Sequence, residues 1–165
     1  MRLIIFDLDN TLVRPLPGIK IPNTWKQQEI IPGVLDQCAK LIDDGVTLAI
    51  ASNQGGVGLG ICTLEDAQER VEKVATAIGA KKWMISIHHE GATRTDLSRF
   101  HMPYLGVAAQ PFYRKPQPGM IFNLMMQLHT TAPETLFVGD QESDCKAATN
   151  AGVRFQWVKE FFGWS

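Results

Sequence analysis

The chain has 165 residues, 45% of them hydrophobic and 20% charged, with a formal net charge of −1. That suffices for one domain around a single core, and the balanced charge excludes a global attraction to nucleic acid or to an anionic membrane. Cys38, Cys62 and Cys145 are odd in number and far apart, which argues against a disulfide framework or a CxxC zinc site and for a reducing, cytoplasmic setting.

In chain order, the first apolar run is Leu3–Leu8. Asp7 and Asp9 break it, so it is too short for a signal peptide or a membrane span and suits a strand. Val13–Ile31 carries Pro15, Pro17, Gly18 and Pro22 and reads as an irregular flap or short hairpin. Val34, Leu35, Cys38, Leu41 and Ile42 form a helix stripe, and Val46–Ala51 is the second strand. Thr63 is the expected N-cap of the next helix, with Asp66 three residues on. Its stripe is Leu64, Ala67, Val71, Val74 and Ile78, and Gly79 is its stop. Trp83–His88 is a third strand, and Glu90–Tyr113 is a long loop without a regular element. Pro118 opens a third helix, Thr135–Gly139 is a fourth strand, and Gln141–Ala151 is a fourth helix ended by Gly152. Val153–Val158 alternates, as a strand near a sheet edge does. Continuous apolar strands between helices predict a three-layer α/β sandwich with a central, mainly parallel sheet, in one domain over residues 1–165.

The polar residues that interrupt this pattern fall at the ends of predicted strands: Asp7 to Thr11, Ser52-Asn53 and Gly139-Asp140. In open α/β sheets such ends converge on one crevice. Two neighbouring carboxylates, Asp7 and Asp9, do not both ionise cheaply, which separates an anionic nucleophile from an acid able to protonate a leaving oxygen. The plainer reading is a solvated turn with a capping Asp. Asp140 and Asp144 share one face of a helix's first turn, where the plainer roles are capping by Asp140 and a dipole contact for Asp144. Together the four acids make a cluster that needs cations, and hard oxygen donors without a Cys/His set favour Mg²⁺. Lys115, in Arg114-Lys115-Pro116-Gln117-Pro118-Gly119, is placed to reach a phosphate or anionic intermediate.

Four segments in order, DLDNTL at Asp7–Leu12, SNQGG at Ser52–Gly56, RKPQPG at Arg114–Gly119 and GDQESD at Gly139–Asp144, resemble the motifs of the haloacid dehalogenase superfamily. The resemblance covers nearly the whole chain. It implies that Asp7 is the nucleophile, forming an aspartyl-phosphate, and that Asp9 protonates the leaving oxygen and then activates water. Ser52 and the backbone around Asn53 would hold phosphoryl oxygens, and Lys115 would stabilise developing charge. Mg²⁺ would be held by Asp7, the Asp9 carbonyl and Asp140, with Asp144 as outer ligand or orienter. Thr11, Asn53, Arg114 and Trp25 are the expected substrate-binding residues, although Trp25 also suits packing the flap onto the domain.

SNQ with RKPxPG is similar to the subfamily of histidinol-phosphate, heptose-bisphosphate and polynucleotide 3′-phosphatases. The zinc-binding cysteines of many such enzymes have no counterpart, because none lies between Cys62 and Cys145. His88, His89 and His101 make a poor copy of that site. Gly55–Gly60 lacks a basic residue, and Gln141 stands where some sugar phosphatases carry one. Neither insertion is long enough for a full cap domain, so an open site is expected, covered by the flap at about 13–31 and a substrate loop at about 90–113. Arg94, Arg99, His101, Arg114 and Lys115 in and beside that loop suit either a second phosphate or a solvated loop. The expected substrate is a small phosphorylated metabolite, with a nucleic-acid end as the alternative and a non-catalytic phospho-Asp switch as a third reading. No membrane partner is expected, and the chain would be a monomer or a small homo-oligomer.

Overall fold

The computed structural model describes residues 1–165. The chain opens on β1 (Leu3–Phe6) and turns into a hairpin of β2 (Val13–Pro15) and β3 (Gln28–Ile30). There follow α1 (Val34–Asp43), β4 (Thr47–Asn53), α2 (Leu64–Ile78), β5 (Lys82–Ser86) and β6 (Val107–Ala108). The last third is α3 (Gly119–Gln127), β7 (Thr135–Gly139), α4 (Glu142–Ala151), β8 (Arg154–Trp157) and α5 (Val158–Phe162). Six strands form one sheet in the order β6-β5-β4-β1-β7-β8, with every neighbouring pair parallel. β2 and β3 pair antiparallel outside it. No helix is long and apolar enough to cross a membrane.

Side chains alternate faces along each strand, and both faces of this sheet are covered. Ile4 and Phe6 join the core under α1, α2 and α5, while Leu3 and Ile5 join the core under α3 and α4. Phe6 packs edge-on to Phe161 at 5.6 Å and stacks on Phe162 at 6.1 Å, so the aromatic rings of α5 cover the core. At α2 the capping is as the sequence predicts: the Asp66 amide donates to Thr63 Oγ1 at 3.0 Å, and Gly79 takes the left-handed φ of 76° that stops the helix.

Several elements differ from the sequence reading, α5 among them, which it did not foresee. β1 ends at Phe6 rather than Leu8, because the Leu8 carbonyl accepts the amides of Thr11, Leu12 and Val13 in a tight turn, with Asn10 at a φ of 59°. The segment 90–113 is not free of regular structure. It supplies β6, a strand of two residues, too short to show alternation, and three turns of 3-10 helix. Capping of α4 falls to Asp144 rather than Asp140: Asp144 Oδ2 accepts the amides of Asp140 at 3.1 Å and Gln141 at 3.0 Å. A side chain at the third helical position reaches back over the helix start, whereas Asp140 stands outside it.

The chain winds from β1 towards β6 on one side, then crosses back to add β7 and β8 on the other. The carboxyl ends of β4, β1 and β7 therefore meet where the winding reverses, which is where open α/β sheets leave a crevice.

Candidate active site

That crevice is a cleft of about 150 Å³ lined by Asp7, Asp9, Asn10, Asn53, Lys115, Asp140, Gln141, Ser143 and Asp144, all polar. A larger hollow of about 440 Å³ lies against α2, lined by Glu69, Glu72, Lys73, Thr76 and Ala77. It holds no buried polar group aimed inward, so the smaller cleft is the chemically equipped one.

Asp7 follows β1 directly, its amide donating to Val138 O at 2.9 Å, and is only 7% exposed. Lys115 Nζ donates to Asp7 Oδ1 at 2.7 Å, to Asp144 Oδ1 at 2.7 Å and to the Ala51 carbonyl at 2.9 Å. All three ammonium protons are thereby placed. Burial alone would lower the Lys115 pKa, but Asp7 and Asp144 outweigh it and push the ammonium above its usual range. For Asp7, burial dominates and pushes the carboxyl well above the usual carboxylate range. Lys115 opposes the rise, and Asp144 and Asp140 add to it.

Ligand oxygens of Asp7, Asp140 and Asp144 lie within 4.8 Å of one another. Both Asp144 oxygens are occupied, one by Lys115 and one by the α4 amides, so Asp144 orients the group from behind. Asp140 differs. Its Oδ2 accepts from Gln141 Nε2 at 3.2 Å, while its Oδ1 is buried without a hydrogen-bond partner. A buried carboxylate oxygen left bare beside a second carboxylate suits a divalent cation, and the donors are all hard oxygens. Burial also raises the Asp140 pKa, as a site short of positive charge would. Gly139 makes room for this arrangement: a Cβ there would meet the Asp144 Cβ at 2.7 Å.

The remaining expected residues are placed as follows. Asn53 is clamped to the Lys115 backbone, accepting its amide at 2.9 Å and donating to its carbonyl at 3.0 Å. Ser52 is 1% exposed, and its Oγ accepts from Gln54 Nε2 at 2.8 Å. Thr11 is fully buried, and its hydroxyl donates to Asp7 Oδ2 at 3.3 Å, so it supports Asp7 rather than lining the cleft. Arg114 lies at the rim against Gly55, its Nη1 donating to the His88 carbonyl at 3.1 Å. Trp25 stands outside the cleft, with Lys73 Nζ 4.8 Å above its ring; this side chain packs the flap onto α2. His89 and His101 each accept a backbone amide at 2.9 Å, from Gly91 and Ala109, and the two do not share an acidic or sulfur ligand set.

Sequence reasoning missed Arg70 and Gln54. Arg70 is 3% exposed and ion-paired with Asp9, whose side chain is 38% exposed. The signal was present: Arg70 falls between Ala67 and Val74 on the apolar stripe of α2, where a charge is out of place unless it has buried partners.

A lysine-anchored aspartate at the end of β1, with acids from β7 and α4 beside it, defines a phosphatase of the haloacid dehalogenase class. The family model described as polynucleotide kinase 3 phosphatase matches residues 2–162, and the chain belongs to that family. The D-glycero-beta-D-manno-heptose-1,7-bisphosphate 7-phosphatase of Neisseria meningitidis serogroup A is 29% identical over 157 residues, covering 92% of this chain and 74% of the relative. The enzyme of the same name from Pseudomonas putida is 29% identical over 163 residues, covering 96% of this chain and 83% of the relative. The crystal structure of D,D-heptose 1,7-bisphosphate phosphatase from B. bronchiseptica, complexed with magnesium and phosphate, matches with a TM-score of 0.72 at 21% identity. That match covers 94% of this chain and 79% of that one, and the likeness is one of fold.

Proposed function

We propose that this phosphatase is a magnesium-dependent phosphomonoester hydrolase that acts through an aspartyl-phosphate on Asp7, with a small phosphorylated metabolite as substrate. The observation that carries the reading is the bare, buried Asp140 Oδ1 beside a lysine-anchored Asp7. Asp7, Asp140 and the Asp9 carbonyl would hold Mg²⁺. When bound, the cation neutralises phosphoryl oxygens and polarises the phosphorus for attack.

The chain's own residues do the rest. Asp7 forms an O–P bond in line as the ester P–O bond breaks, and the leaving oxygen takes a proton from Asp9. A water then gives its proton to Asp9 and adds to phosphorus, breaking the Asp7–phosphate bond and freeing inorganic phosphate. Ser52 accepts from Gln54, so its own proton is free for a phosphoryl oxygen. Lys115, held against Asp7, stabilises charge developing beside it.

Mg²⁺ should raise the stability of metal-depleted protein, by about 2.7 kcal/mol at a hundredfold excess over its dissociation constant. Because burial raises the Asp7 and Asp140 pKa values, protons compete for the site at higher pH than at ordinary carboxylates. The apparent Mg²⁺ affinity should therefore begin to fall in mild acid. Thermal melts against Mg²⁺ at several pH values check this, and phosphate release undiminished by a strong chelator would overturn the metal assignment.

The family description favours one second reading, hydrolysis of 3′-phosphorylated nucleic-acid ends. Against it, one of the loop's basic groups is already engaged within the chain: Arg94 is paired twice with Asp96, at 3.0 and 2.9 Å, and lies over Phe100. Turnover compared on sugar phosphates and on a 3′-phosphorylated oligonucleotide decides. A higher kcat/KM on the sugar phosphates supports the metabolite reading, and a higher value on the oligonucleotide replaces it.

A further inference from the structure

Arg70 reaches three other segments of the chain from one buried position on α2. Its Nη2 pairs with Asp9 Oδ1, its Nη1 donates to Gln54 Oε1 at 3.2 Å, and its Nε donates to Gln28 Oε1 at 2.8 Å. Gln28, on the flap strand β3, donates back to the Arg70 carbonyl at 3.3 Å. Gln54, just past β4, donates through Nε2 to Ser52 Oγ at 2.8 Å and to Asp9 Oδ2 at 3.3 Å.

The donor inventory fixes the direction of this network. Guanidinium only donates, so both glutamines must turn their oxygens towards Arg70. Gln54 then has only N–H groups to offer Ser52 and Asp9. The Asp9 carboxylate is held at both oxygens, by Arg70 from one side and Gln54 from the other. A planar fork with three acceptors in set directions suits arginine and not lysine. An exposed surface pair contributes little, but here the cation is buried and its partner sits at the mouth of the cleft. The pairing sets where the Asp9 carboxylate stands relative to Asp7. Through Gln28, it also ties that position to the flap.

We propose that Arg70 is a positioning residue for Asp9, and that Gln28 links the aim of Asp9 to the seating of the flap. This rests on the reading of Asp9 as the group that handles protons at the leaving oxygen and the attacking water. Loss of Arg70 should therefore lower kcat while leaving KM nearly unchanged, because the phosphoryl-binding groups stay in place. General acid–base catalysis contributes about 10²–10⁴-fold, and misplacing the group should forfeit a large part of that. Gln28→Ala should act in the same direction and less strongly, since Arg70 itself still pairs with Asp9.

The test uses Arg70→Met, Gln28→Ala, Asp9→Asn and each of the first two combined with Asp9→Asn, each checked for a cooperative thermal melt. Steady-state rates are measured on a sugar phosphate and on p-nitrophenyl phosphate, together with the initial burst of nitrophenolate. In Arg70→Met, the sugar phosphate rate should fall at least about tenfold. The burst should survive, because an aryl leaving oxygen needs no proton. In the Asp9→Asn background, Arg70→Met should cost nothing further, since a residue acting through Asp9 has nothing left to position. An equal loss in both backgrounds would mean that Arg70 serves the fold alone, and the proposal fails. If Arg70→Met does not fold, Gln28→Ala carries the same comparison, and equal losses with and without Asp9 again defeat it. Full activity of Asp9→Asn on both substrates would instead overturn the underlying role of Asp9.

Discussion

Replacing Asp7 with Asn should leave a folded protein whose phosphate release is slower by at least about 10⁴-fold, the scale on which nucleophile deletions act. The amide keeps the shape of the carboxylate but is no nucleophile, and it removes one of the cleft's acidic ligands. Its effect on stability has a definite sign. A carboxyl whose pKa is raised by folding holds its proton more tightly in the native state. Its favourable contribution is present below the unfolded pKa and is lost as pH rises through the folded value. Wherever Asp7 is ionised it is thus a burden on the metal-free fold, relieved in part by Lys115, and the neutral amide should not lower the melting temperature. The check pairs a phosphate-release assay with thermal melts of both proteins in chelator. Wild-type turnover in Asp7→Asn would remove the nucleophile from the mechanism.

Lys115→Met should have the largest effect on stability. It takes a buried cation from between two carboxylates, and uncompensated buried charge of this kind costs about 3–5 kcal/mol. Against a usual total of about 5–15 kcal/mol, that is a large share. The pH window follows from the direction of the shift. Lys115 is raised above its ordinary value, so its stabilising contribution is present below the unfolded lysine pKa and is lost only on passing the folded one. The loss should therefore be seen in full across neutral pH. Urea titration at neutral pH measures it. Asp144→Asn in the same background should recover part of the cost, because one of the two orphaned charges is then gone. A cost below about 1 kcal/mol would show that Lys115 is not the electrostatic keystone of the cleft.

The element order was legible because burial on both faces leaves unbroken apolar runs. Leu3–Phe6 and Thr135–Gly139 show this, as does the helix at Leu64–Ile78 with its Thr63 cap and Gly79 stop. The acids at strand ends were legible because several of them close apolar runs whose carboxyl ends an open α/β sheet brings to one crevice. β6 was not, because two residues carry no periodicity and its pairing with β5 lies between distant segments.

Local sequence thus determined a parallel α/β sheet and the acids and the lysine that meet at its carboxyl edge. Those properties follow from periodicity and from the end of each run. Only the tertiary structure decided which acid touches which base: Lys115 between Asp7 and Asp144, Arg70 on Asp9, and Asp140 Oδ1 left bare. Ion pairs between residues 61 and 108 apart in the chain are set by how strands and helices stack, and no local pattern records that.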